Sequence, residues 1–152
     1  MLKGAKEREA EKMHEQFEHK ADMGVRGIGK SREEAFAECA KAMFEVMIEL
    51  ESVKALREVK VEVDGNDLEG LLVEWLNELL YLKDHKEMFF SEFEVESIGE
   101  EVGKFVLRGA VRGDKIDLEN QRVKVEVKAA TYSGLKVEKI DGHWSAECIV
   151  DV

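Results

Sequence analysis

Proline is absent from the 152 residues, cysteine occurs twice, and positive charge is scarce, with 23 Lys and Arg against 34 Asp and Glu for a net charge of −11. Each shortage argues against something. Cys39 and Cys148 show no C-x-x-C or similar spacing, which speaks against a structural zinc site. Both fall on apolar faces and read as buried thiols. A surface with a sequence pI near 4.9 repels phosphate backbones. Direct, stable nucleic-acid binding is therefore not expected, whereas a basic protein partner or a cation suits this charge. No apolar run approaches the ~20 residues that span a bilayer. The N-terminus has no signal-peptide hydrophobic region. The expected setting is the cytoplasm, with no membrane partner. Missing proline says little about origin: dense mixed charge is a hallmark of thermophile surfaces, and lack of proline is not. A thermophilic source remains compatible with this composition. There is no internal repeat and no low-complexity linker.

What is present suffices for one domain. Apolar residues make up 44% of the chain and charged residues 38%, against about 25% charged in ordinary chains. A domain of this length buries roughly 70% of its unfolded surface. Residues 1–15 form a charged extension, frayed or partly helical, with too thin an apolar stripe to dock. Residues 16–152 carry the fold.

Residues 25–29 read as a short strand, where Gly24, Gly27 and Gly29 signal a close backbone approach or a bulge. Their spacing, without Gly-Lys-Ser/Thr, does not make a phosphate loop. Ser31-x-x-Glu34 is a capping box. The helix after it carries Ala35, Phe36, Cys39, Ala40, Met43, Phe44, Met47 and Leu50 on one face. Residues 53–63 alternate as a strand. Asn66-x-x-Glu69 opens a second helix, the most apolar in the chain, with Leu71, Leu72, Trp75, Leu76, Leu79 and Leu80. Glu74 and Glu78 lie off its main stripe as like charges at i, i+4, a solvated face unless they are ligated.

The remainder is β-rich. Residues 88–97 and 104–112 pair around Gly99-Glu100-Glu101, and Val123, Val125 and Val127 alternate with charges. Asp141-Gly142 is a type I′ hairpin signal. In the last strand Trp144, Ala146, Cys148 and Val150 share one face, and His143, Ser145, Glu147, Ile149 and Asp151 the other. These patterns indicate an α+β domain of mostly antiparallel sheet, with two amphipathic helices packed on one face.

Chemistry concentrates at the two ends. In Phe17-Glu18-His19-Lys20-Ala21-Asp22, unpaired buried charges would cost several kcal/mol. So Glu18, His19 and Asp22 point either to water or to a ligand. Asp151 is one residue from the carboxylate of Val152. If the last strand pairs beside the first segment, three carboxylates converge, and all-oxygen ligands favour calcium, magnesium or manganese. His14, His85 and His143 read as surface residues. Lys128 reads as an exposed strand lysine.

These pieces together resemble the archease family. Phe17-Glu18-His19-x-Ala21-Asp22 is similar to its opening signature. An acidic amphipathic helix after Ser31, the run Leu72-Val73-Glu74-Trp75-Leu76-Asn77-Glu78-Leu79-Leu80, the stretch Val125-Glu126-Val127-Lys128-Ala129-Ala130-Thr131-Tyr132, and Asp151 next to last follow in family order over residues 16–152. The resemblance implies the same α+β class and a divalent-metal site on Asp22 and Asp151 with oxygen from Val152. It also implies partner or nucleotide contacts from Glu18, His19, Glu74 and Lys128. The implied role is a non-enzymatic activator of GTP-dependent RtcB-type tRNA-splicing ligases, promoting guanylylation and multiple turnover. Some members carry histidines where this chain has Asn120-Gln121 and Ser133, so no role for those histidines carries over. The residues alone leave two other readings: a stand-alone metal-dependent hydrolase with His19 as its base, and a chaperone-like interaction protein.

Overall fold

The computed structural model describes residues 14–19 and 22–152, with the side chains of residues 14 and 17–19 excepted. The expected fraying of the extension falls at residues 1–13, outside the described residues. Strand β1 (His14–His19) begins two residues before the expected boundary, so His14 and Glu15 belong to the sheet. It pairs antiparallel with β2 (Asp22–Gly29).

Helix α1 (Arg32–Met47) starts where the capping box placed it, with Ser31 Oγ accepting the Glu34 N–H at 3.1 Å. Glu34 reaches back to the Lys30 N–H at 2.9 Å, one residue outside the cap. The expected apolar face is buried from Ala35 to Met47, and Ala42 and Val46 are buried as well. Close approach explains two of the β2 glycines. A Cβ on Gly27 would overlap the Ala35 carbonyl and the Cys39 nitrogen, and one on Gly29 would strike Glu34. Helix and strand backbones touch there.

A 3₁₀ turn (Leu50–Ser52) leads to β3 (Arg57–Gly65), so the first residues of the expected 53–63 strand are connection. Helix α2 (Leu68–Lys86) is capped by Asp67, not Asn66: Asp67 Oδ1 accepts the Gly70 N–H at 2.7 Å. Its leucine stripe is buried, and Trp75 Nε1 donates to the Phe36 carbonyl of α1 at 3.0 Å. Among the described residues no helix is long and apolar enough to cross a membrane.

Strands β4 (Met88–Glu101) and β5 (Lys104–Lys115) turn at Val102 and Gly103, both with φ > 0, and not at Gly99-Glu100-Glu101, which continue β4. A β-branched residue at positive φ breaks the usual turn chemistry, which is why the pattern misplaced this turn. The valines of residues 123–127 also depart from expectation. No strand forms there: Lys124 and Val125 turn their N–H groups to the Met47 and Val46 carbonyls at the end of α1, at 2.7 and 3.3 Å. Those carbonyls are orphans of the helix terminus, and the passing chain satisfies them. Val123 and Val125 are consequently exposed and only Val127 is buried. Regular pairing resumes for two residues in β6 (Ala129–Ala130). The hairpin of β7 (Lys136–Ile140) and β8 (His143–Asp151) turns at Asp141-Gly142 as expected, both with φ > 0.

The strands divide into two antiparallel sheets. One runs β1-β2-β8-β6, with β7 also on β8; the other runs β3-β5-β4. Each helix reaches both sheets, so the core lies between them and the outer sheet faces meet solvent. On β8, Ala146, Cys148 and Val150 face inward and are fully buried. Both cysteines are free and buried, as expected. Burial pushes the Cys148 thiol up to about 11, and burial, with Cys148 as the next cause, raises the Cys39 thiol well above its ordinary range.

Candidate functional site

Strand register brings the two chain ends together. Asp22 opens β2 and stands directly opposite Asp151, the last residue of β8. His19 is the register partner of Asp22 on β1, and Ala129 that of Asp151 on β6. One row across four strands therefore reads His19, Asp22, Asp151, Ala129. Asp22, Asp151 and Val152 are each half-buried. Val152 packs partly against the core, which holds it at this corner. Glu18 occupies the register position of Met23, in the adjacent row. The side chains of Glu18 and His19 lie outside the described ones.

Directly opposed residues of an antiparallel pair have Cβ atoms about 5 Å apart. Charges as close as those Cβ atoms would repel by at most roughly 3 kcal/mol at an effective dielectric near 20, and less where the carboxylates turn apart. Among the described residues no salt bridge neutralises Asp22 or Asp151. Nor, among those residues, do three His, Cys, Asp or Glu side chains form a metal-binding group. The oxygen donors in hand are the two aspartate side chains, with Val152 beside them. These are hard ligands of the kind that calcium, magnesium and manganese take, and they leave part of a six- to eight-oxygen shell for water or a partner's groups.

Lys128 is at the same corner. Its N–H donates to the Asp151 carbonyl at 2.7 Å, and its side chain is exposed. Glu74 is not grouped with the aspartates. It is exposed on α2 and lines an open cavity of about 440 Å³ with Asp64, Asp67, Lys104 and Tyr132. His85 stacks on Tyr81 at the end of α2, and His143 sits beside the β7–β8 turn.

Two features escaped the sequence reading. On the same outer face, one alternation step beyond the Gly24–Ile149 pair, Arg26 stands opposite Glu147, with Nε 2.9 Å from Oε1, and also pairs with the buried carboxylate of Glu15. Residues 15, 26 and 147 have no local spacing that could have announced this ion triad. A groove of about 580 Å³ runs from Arg26 and Glu147 along β7 to Trp144. The second feature is Asn77 of α2. Its Nδ2 donates to the Ala130 carbonyl at 3.2 Å, and its Oδ1 accepts the Ala130 N–H at 2.8 Å.

Comparison with known proteins agrees with this architecture. Residues 14–152 match the model of the archease protein family (MTH1598/TM1083). The chain is 43% identical over 139 residues to the protein archease of Pyrococcus furiosus, covering 91% of this chain and 97% of that one. It is 41% identical over 141 residues to that of Methanosarcina mazei, covering 93% and 97%. The solution structure of Methanobacterium thermoautotrophicum protein 1598 superposes with a TM-score of 0.79 at 34% identity, over 92% of this chain and 99% of that one. The crystal structure of a Thermotoga maritima archease, described as a possible chaperone, shares the fold with a TM-score of 0.51 at 19% identity, over 90% and 94%. Coverage from β1 to the last residue, at about two residues in five, leaves one assignment: this chain belongs to the archease family.

Proposed function

We propose that this protein is a non-enzymatic activator of a GTP-dependent RtcB-type tRNA-splicing ligase, working in the cytoplasm to promote guanylylation and multiple turnover. The observation that carries the reading is the Asp22–Asp151 register pair, set beside Lys128 and the chain terminus at an exposed sheet corner. Family membership supports the class of role. Asp22, Asp151 and the Val152 carboxylate would hold a divalent ion. When bound, that ion would supply positive charge able to organise oxygen ligands shared with the ligase. The remaining work falls to this chain. Strand pairing fixes the backbones of Asp22 and Asp151, so only side-chain rotation is needed to present their oxygens. Glu18 and His19 border the pair on β1. Lys128 offers a mobile cation to a phosphate or a ligase carboxylate. Glu74, on its separate cleft, is assigned to ligase contact rather than to the ion. A net charge of −11 steers the protein toward a ligase surface made basic for RNA.

The test is multiple-turnover ligation with the ligase of the same source, excess broken tRNA, GTP and metal. Substoichiometric amounts of this protein should convert a single round into many. Unchanged turnover with a competent ligase would reject the reading, and would leave a stand-alone metal-dependent hydrolase or a general chaperone as the account to pursue.

A further inference from the structure

We infer that Asn77, on the middle of α2, is a positioning residue for the Asp151–Lys128 corner; this rests on the functional reading of that corner given above. Strand β6 has only two residues, with Ala129 opposite Asp151 and Ala130 opposite Val150. The chain before it is irregular, and on the side facing β8 its register is held by Lys128 and by the Thr131 N–H and Oγ1, both of which donate to the Ile149 carbonyl. Backbone groups of an antiparallel strand alternate between its two edges. Thr131 accordingly donates to the Ile149 carbonyl of β8 at 3.0 Å, while Lys128, in the irregular chain just before β6, breaks the alternation and donates to the Asp151 carbonyl at 2.7 Å. Ala130 sends both its N–H and its C=O to Asn77 instead. The carboxamide thus stands where a further strand would be, with one donor and one acceptor in peptide-like geometry.

This arrangement needs an amide. Asparagine is a weak helix former, set here in a run of leucines and glutamates. Ala130 is 6% exposed, so water is a poor substitute for either bond. The clamp also ties α2, the central helix of the core, to the short strand that carries Lys128 into contact with Asp151. Loosening it would free Lys128 and the Asp151 carbonyl together, while leaving Asp22 and the β2–β8 ladder in place.

The experiment compares wild type with Asn77→Ala, Asn77→Asp and Trp75→Phe. The last removes a buried hydrogen bond of the same helix that runs to the Phe36 carbonyl of α1 and not to β6. Two quantities are read: amide hydrogen exchange at Lys128 and Ala130 by NMR in metal-free protein, and the affinity for calcium alone by calorimetry. Asn77→Ala should speed exchange at both amides and weaken calcium by about tenfold or more, the usual cost of losing an outer-shell support. Asn77→Asp keeps the acceptor for the Ala130 N–H but sets a carboxylate oxygen against the Ala130 carbonyl, and should loosen the corner at least as much as Asn77→Ala. Trp75→Phe should leave calcium affinity and the Lys128 amide unchanged, which separates positioning from general destabilisation. Unchanged Lys128 exchange in Asn77→Ala, or an equal effect from Trp75→Phe, overturns the inference. If wild type takes no calcium, the metal reading fails on its own. The positioning inference is then decided by Lys128 exchange, supported if Asn77→Ala frees that amide and overturned if it stays protected.

Discussion

Replacing Asp151 by asparagine should make the ion-free protein more stable. Asp151 and Asp22 are direct cross-strand partners, and both are half-buried. Their repulsion is at most roughly 3 kcal/mol, the value for charges as close as the Cβ atoms, about 5 Å, at an effective dielectric near 20. A Debye length of about 8 Å at 0.15 M salt screens part of this, leaving about 1–2 kcal/mol. For a chain of this size each kcal/mol moves the melting temperature by about 2–4 °C. In EDTA at pH 7, Asp151→Asn should therefore melt about 2–8 °C above wild type, by circular dichroism. The gap should close in 1 M salt. Calcium should reverse the order, because an ion held at 100 times its dissociation constant adds about 2.7 kcal/mol to whichever protein binds it. The reasoning is refuted if Asp151→Asn melts at or below wild type in EDTA, since the two carboxylates would then not be an uncompensated pair.

Two further outcomes follow from the packing. Gly27→Ala forces a methyl into the Ala35 carbonyl and Cys39 nitrogen of α1; it should cost at least about 3 kcal/mol, beyond ordinary overpacking because backbone must move, and urea denaturation would measure it. The Cys148 thiol, pushed up to about 11 by burial, gives a pH dependence of known sign. An unfolded thiol ionises from about pH 8.5 while the folded one keeps its proton, so stability falls as pH rises toward 11, by up to about 3 kcal/mol. Cys148→Ala should flatten that fall in denaturation curves taken between pH 8 and 11.

Much of this fold was legible because its signals are local. Ser31 with Glu34, the leucine stripe of α2, and Asp141-Gly142 each act within a few residues, and each formed as its chemistry requires. The meeting of Asp22 with Asp151 was legible only conditionally: it required the last strand to pair beside the first segment, which no local signal decides, and the resemblance to the archease family is what singled the pair out. The misplaced pieces all depend on distant partners. Alternating valines at 123–127 read alike whether they face core or solvent, and what decided the matter was the open end of α1, whose carbonyls took the Lys124 and Val125 N–H groups. Asn77 is one polar residue on a helix until Ala130, 53 positions later, is laid against it. The Glu15–Arg26–Glu147 triad is likewise invisible without strand pairing. At Val102 the chain adopts a conformation its side chain disfavours, so a propensity rule pointed elsewhere.

The measurement that tests the central claim most directly is ligase turnover with wild type and Asp151→Asn side by side, both first shown to be folded. The account predicts that substoichiometric wild type sustains many rounds of joining, while the variant, although at least as stable without metal, leaves the ligase at a single round. Equal turnover with both proteins would contradict it, because the Asp22–Asp151 corner would then have no part in the activity.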